Sequence, residues 1–306
     1  MRHRTTMTVK VSRVHAPRRR IAWTGAGWLL LPGLLVLLAF FALPMGTILV
    51  YSVGRTAPGA LYIPDLTLAN YVALVGTPVY FQVMMRTLRL GLIVTLLALV
   101  IGYPYAFLMA RGRPWVRTGL LLAVLLPLLV SVVVRTYGWI VVLGLDGPVN
   151  MLLLALRLTS QPVKFLFNET GIVIGLLHVF FPFMVLPLSS VLQKLDPQLV
   201  EAARTLGAGY PTVFWRVILP LSVPGIAAGS MLVFTLSVAA YVTPALMGGA
   251  GINVMATLVA QQILVLVNWP LGAAVAVTLV GITLLVVAVY NRFLEASTGV
   301  YQRHAG

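Results

Sequence analysis

The chain contains no cysteine, which excludes disulfides, thiolate nucleophiles and cysteine-ligated metals together. Acids are nearly as scarce: Asp65, Asp146, Glu169, Asp196, Glu201 and Glu295 are the only six in 306 residues. No two of them stand at the spacing of a metal site or an acid/base pair, and three of the four histidines (His3, His15 and His304) lie in the terminal segments. The lysines are Lys10, Lys164 and Lys194, none preceded by glycine, so there is no Gly-Lys-Ser/Thr loop to cradle a nucleotide's phosphates. Charged residues make up only 9% of the chain, against about 25% in an ordinary soluble domain. These shortages exclude a soluble enzyme.

What fills the chain instead is apolar. Hydrophobic residues are 60% of the total and the mean hydropathy is +1.01. About twenty residues at 1.5 Å each cross the hydrocarbon core. The uncharged run from Trp28 to Val53 is longer than the apolar part of a signal peptide and has no clear cleavage site, so it reads as the first span. Leu90 to Ala110 is the second. Thr118 to Leu143 is the third, interrupted only by Arg135, and Gly171 to Leu192 is the fourth. The stretch between Arg216 and Arg292 carries no charge and holds two more, near Gly225 to Met247 and Leu271 to Tyr290. The expected fold is an all-α membrane protein with six transmembrane helices.

The net charge of +15 invites a nucleic-acid reading, but the charges are distributed as membrane topology requires. Seven basic residues crowd the first twenty positions. Segments rich in Lys and Arg stay on the cytoplasmic side. With both termini inside, that side holds 15 basic residues and the outer side five, namely Arg55, Arg86, Arg89, Arg157 and Lys164, with Arg135 left inside a span. The chain then divides into a basic cytoplasmic tail at 1–27, a six-helix domain at 28–295 and a short cytoplasmic tail at 296–306. No nucleic-acid partner is expected.

The longest cytoplasmic connector, residues 194–222, is the most informative. Asp196 can cap a helix that starts at Pro197, where the missing proline N–H is unpaired anyway. That helix should stop at Gly207, which can adopt the left-handed conformation. Pro211 should begin a second short helix that Pro220 ends. This segment closely resembles the coupling loop of ABC transporter permeases: E-A-A, three residues, G, nine residues, I, one residue, L-P. Glu201, Ala202, Ala203, Gly207, Leu219 and Pro220 meet the pattern, and Val217 stands where isoleucine is usual. Further segments, Arg135-Thr-Tyr-Gly-Trp139, Asn168-Glu-Thr-Gly and Tyr241-Val-Thr-Pro244, resemble the spermidine/putrescine branch of that family.

The resemblance implies a MetI-like permease subunit of a type I ABC importer in a bacterial inner membrane, and no enzyme. It binds no cofactor itself, since ATP is held by a cytoplasmic ATPase dimer that docks on the coupling loop. The other implied partners are a second permease subunit (a homologue or a second copy), an extracytoplasmic solute-binding protein and the lipid bilayer. Branches importing opines, phosphonates or other small solutes share these motifs. An ATPase-independent secondary transporter is the rival class; it expects charged relays inside the spans and has no use for the coupling spacing.

Candidate residues for the substrate path are Arg135, Tyr137, Trp139, Asp146, Glu169, Tyr241 and Thr243. Arg135 lies about 27 Å beyond Arg117 on a straight helix, which places it near the outer interface, as a snorkelling anchor or at the mouth of the path. Asp146 and Glu169 can attract a cation outside. His178 reads as an interhelical hydrogen-bonding residue, Gly225 and Gly229 as a close helix contact, and Pro127, Pro182, Pro187 and Pro244 as interruptions of their helices. Reporter fusions check the topology: those after Gly59 and Ser160 should report outside and one after Arg113 inside, and the reverse pattern overturns it.

Overall fold

A computed structural model describes the backbone of residues 31–57, 59–249 and 251–302, with side chains up to Arg292. The basic tail, the start of the first span at Trp28 and residues 303–306 lie outside the described residues. The chain divides into two compact units between Thr47 and Ile48. In the first, the described residues are helical and include a π-helical stretch, Leu38–Ala42; with the turns that follow they form α1, Leu31–Ser52, 22 residues long and largely apolar.

The second unit opens with an antiparallel hairpin, β1 (Arg55–Ala57) and β2 (Ala60–Ile63), and a short helix α2 (Ala69–Gly76). The Asn70 amide ties the hairpin's start to α2 by donating to the carbonyls of Ser52 and Gly54, at 3.0 and 2.9 Å. Three long helices follow as the core: α3 (Pro78–Arg111), α7 (Glu169–Lys194) and α9 (Tyr210–Ala239). Their most extensive contacts are with one another. Leu90, Val94 and Ala98 of α3, Ile172, Leu176 and Met184 of α7, and Val233 of α9 form a buried cluster at the centre. Among the described residues five helices are long and apolar enough to cross a membrane, or six if one bent pair counts as a span.

That bent pair is the third expected span. It is not one helix over Thr118 to Leu143. α4 (Pro114–Leu125) tightens into a 3-10 turn at Leu126–Leu129, the chain extends at Val130 and Ser131, and α5 (Val132–Val142) leaves at 105°. Pro127 has no N–H to return to the carbonyl of Ala123 and its ring crowds that carbonyl, so the α-helical ladder ends there. The fifth expected span is also broken. α9 ends at Ala239, Ala240 is extended, and α10 (Val242–Met247) restarts so that Pro244 falls in a first turn, where no N–H is needed. Pro182 and Pro187 differ: both sit inside a continuous α7.

Pro220 does not end its helix either. The segment Tyr210–Ala239 is continuous because a π-helical turn, Phe214–Ile218, precedes the proline. A widened turn accommodates a residue that neither donates nor tolerates the carbonyl four positions back. Between α5 and α7, α6 (Pro148–Ala155) is held by Asn150, whose buried amide bonds to Gly144 and to both backbone groups of Val163. After α10, α11 (Met255–Val265) packs on α3, with the Met255 N–H donating to Thr87 Oγ1 at 2.9 Å. α12 (Trp269–Gln302) closes the chain.

Gly225 and Gly229 let α9 lie directly on α7. A Cβ at Gly229 would stand 3.0 Å from the carbonyl oxygen and 3.2 Å from the Cα of Met184, and one at Gly225 3.1 Å from the Cα of Leu188. Backbone cannot yield as a side chain does. Gly229→Ala should therefore destabilise the protein by about 1–3 kcal/mol, whereas Gly281→Ala, in α12 with nothing within 4 Å, should be neutral or stabilising. Thermal melting of the two variants in detergent checks this.

Candidate functional site

The residues expected to form a coupling loop fold as their chemistry requires. α8 (Pro197–Thr205) starts at the Asp196 cap, whose carboxylate accepts from the Gln198 N–H at 2.9 Å. It ends at Gly207 with φ +83°, a conformation glycine adopts without steric cost. Ala203 packs against the buried cluster that contains Leu188 and Leu192 of α7 and Val213 of α9, while Glu201 and Ala202 face outward. Val217 lies in the π turn, and Leu219 and Pro220 follow it.

A side-chain contact joins α8 to α9. The Arg204 guanidinium stacks over the Tyr210 ring, 4.6 Å from its centre. A cavity of about 460 Å³ opens beside them, lined by Arg111, Glu201, Arg204, Tyr210 and Phe214 among others. Arg111 donates to the carbonyl of Leu195 at 3.4 Å, and Arg117 to Gln193 Oε1 at 2.6 Å. The ends of α3 and α4 are thus tied to the root of the loop.

The second constellation forms where the two broken helices meet. Thr136 Oγ1 of α5 and Thr243 Oγ1 of α10 are 3.4 Å apart. Beside them is a cavity of about 320 Å³, lined by Arg135, Phe180, Phe183, Tyr241 and Thr243 with neighbouring aliphatics. Arg135 is therefore not a snorkelling anchor 27 Å along a straight helix. The bend turns it into the cavity, and its Nε and Nη1 are buried without a partner among the described residues.

Of the seven path candidates, Arg135, Tyr241 and Thr243 share this cavity. Tyr137 is exposed on another face of α5. Trp139 packs edge-on against His178, ring centres 5.5 Å apart, and His178 Nδ1 has no hydrogen-bond partner among the described residues. Asp146 is exposed in the turn after α5. Glu169 is not a free attractor for cations, because Arg86 Nε lies 3.2 Å from its Oε1 and Arg89 pairs with its Oε2. Arg86 also donates to the Asn253 carbonyl at 3.3 Å. Sequence reading misses this cluster, although Arg86 and Arg89, three apart, share one helix face.

Comparison with known proteins decides the family. Residues 98–297 match the model of the binding-protein-dependent transport system inner membrane component. The chain belongs to this family. It is similar to the spermidine/putrescine transport system permease protein PotB of Haemophilus influenzae, 37% identical over 265 residues covering 87% of this chain and 88% of that one. PotB of Escherichia coli is 39% identical over 226 residues, 74% of this chain and 82% of that protein. A bacterial ABC transporter that imports the acidic polysaccharide alginate shares the fold, with a TM-score of 0.68 at 20% identity, covering 89% of this chain and 94% of that one. The protein is thus a multi-pass inner-membrane permease of an ABC importer and not an enzyme.

In this permease the Glu169 cluster ties α3, α7 and the segment before α11 together. The Arg86 side chain is 27% exposed and that of Arg89 59%. Double-mutant cycles on stability should therefore give a coupling of about 1 kcal/mol for Arg86→Ala with Glu169→Ala, and under about 0.5 kcal/mol for Arg89→Ala with Glu169→Ala.

Proposed function

We propose that this chain is one of two permease subunits of a polyamine importer. It would form half of the translocation path for spermidine or putrescine, powered by a separate ATPase dimer through α8. The observation that carries the reading is the similarity to two spermidine/putrescine permeases over most of the chain. In this reading there are six spans with both termini cytoplasmic: α1, α3, the bent pair α4–α5, α7, α9 and α12. The basic tail at 1–27, the domain at 28–295 and the final residues from 296 keep the sides that the positive-inside pattern gives them. ATP bound by the partner is the only nucleotide, and this chain carries no cofactor.

The coupling residues would be Glu201, Ala202, Ala203, Gly207, Val217, Leu219 and Pro220. Closure of the ATPase dimer displaces α8, and the stacked Arg204 and Tyr210 pass that displacement to α9. Selectivity for a polycation rests chiefly on an extracytoplasmic binding protein, because Glu169, at the start of α7, is paired with Arg86 and Arg89 and no acid falls within the apolar stretches of the proposed spans. Tyr241, Phe180 and Phe183 offer aromatic faces to an ammonium group in the cavity. One observation favours a second reading, an opine- or phosphonate-like anionic solute: Arg135, in the same cavity, has no partner for its Nε and Nη1 among the described residues.

Reconstitution of the complete transporter with its binding protein in proteoliposomes tests both. ATP-dependent uptake of spermidine or putrescine is expected; uptake of an anionic solute alone overturns the polyamine reading, and gradient-driven uptake without ATPase overturns the class. Glu201→Lys and Gly207→Asp should each reduce uptake by about 5- to 100-fold, the range of a ~1–3 kcal/mol coupling between sites, while the subunits still co-purify.

A further inference from the structure

No carboxylate among the described residues pairs with Arg135. This arginine occupies the first turn of α5, just past the 105° bend, with Nε and Nη1 buried and unpartnered among the described residues. A guanidinium in the middle of a span costs about 2.5–3.5 kcal/mol even on insertion scales, so intramembrane charges face protein or water rather than lipid and are paired. The described acids are all engaged or elsewhere. Asp65 pairs with Arg55 at 3.2 Å, Glu169 with Arg86 and Arg89, and Asp196 caps α8. Asp146 and Glu201 are exposed, one in the turn after α5 and one on α8. A polyamine carries the same sign as Arg135 and cannot satisfy it.

The cavity around Arg135 is partly open and its lining is largely apolar, with Tyr241 exposed at its edge; Leu129 and Val134, next in sequence to the lining residues Leu128 and Arg135, are exposed as well. A surface of this kind excludes water once covered, and leaves a guanidinium seeking a fixed anion. We propose that Arg135 pairs with a carboxylate of the second permease subunit across this face. The inference rests on the polyamine-importer reading with two permease chains. That carboxylate is also what a polycation in transit needs and this chain does not bring. Arg135 neutralises it while the path is empty, and an arriving ammonium group competes for it.

The test uses the complete transporter, wild type against Arg135→Met and Arg135→Lys. Arg135→Met strands a buried carboxylate, so the melting temperature of the complex should fall by about 5 °C or more, while Arg135→Lys should stay within about 1 °C of wild type. Removing an unpaired guanidinium has the opposite sign, and an unchanged or raised melting temperature in Arg135→Met overturns the proposal. So does an equal fall in both variants. With only three native lysines in the chain, an amide formed by dicyclohexylcarbodiimide at position 135 of Arg135→Lys can be located by mass spectrometry. Attachment to Asp or Glu of the second permease is expected, and attachment to a carboxylate of this chain overturns the proposal. A raised KM for the solute in Arg135→Met without a change in melting temperature assigns Arg135 to the solute instead, and also overturns it. Wild-type transporter that fails to import spermidine strikes the substrate reading and is scored separately.

Discussion

A backbone inside a bilayer has no water to satisfy its N–H and C=O groups, so it must be helical except where protein or a wet cavity shields it. This constraint explains both the regular and the irregular parts of the permease. α3, α7 and α9 stay continuous through Pro104, Pro182, Pro187 and Pro224 because neighbours pack around them. The two full breaks, at Val130–Ser131 and at Ala240, lie beside one another, joined by Thr136 and Thr243 and sharing one cavity. Unwound backbone is concentrated at one place, and that place also holds the charge that lipid would reject.

Local chemistry is the legible part of the sequence. The α8 helix has its cap at Asp196, its Pro at the first position and its stop at Gly207 as read from residue types alone. The Gly225 and Gly229 contact is equally plain, since four-residue spacing puts both on one face. The breaks are less so. Four prolines read as interruptions, but whether proline breaks a helix depends on what packs against the freed carbonyl, and only Pro127 and Pro244 stand at breaks. Pro220 misleads for the same reason, because a π turn has no signature in residue type. The misplacement of Arg135 is a direct consequence: counting 1.5 Å per residue holds only along a straight helix.

Charge partners are the other illegible feature. Glu169 reads as a free carboxylate because its neighbours in sequence are uncharged, while its partners stand about eighty residues earlier on α3. Pairing of this kind is long-range and depends on the helix arrangement. Once Glu169 is neutralised, the described residues around the cavity supply aromatic faces and hydroxyls but no negative charge, so a polycation meets no carboxylate of theirs there.

The geometry of α9 connects the two constellations. It runs unbroken for 30 residues from Tyr210, beside the coupling helix, to Ala239, at the rim of the cavity, a distance of about 45 Å. A rod of this length does not need a chain of switching side chains to carry a displacement. Held against α7 at Gly225 and Gly229, near its middle, it can pivot where backbone meets backbone. Under the proposed coupling, a push on Tyr210 through Arg204 moves Ala239 the other way. The break at Ala240 then lets α10, and with it Thr243 and Tyr241, shift relative to α5 without deforming either helix. Motion driven from the loop would thus be delivered where the helix is interrupted at Ala240.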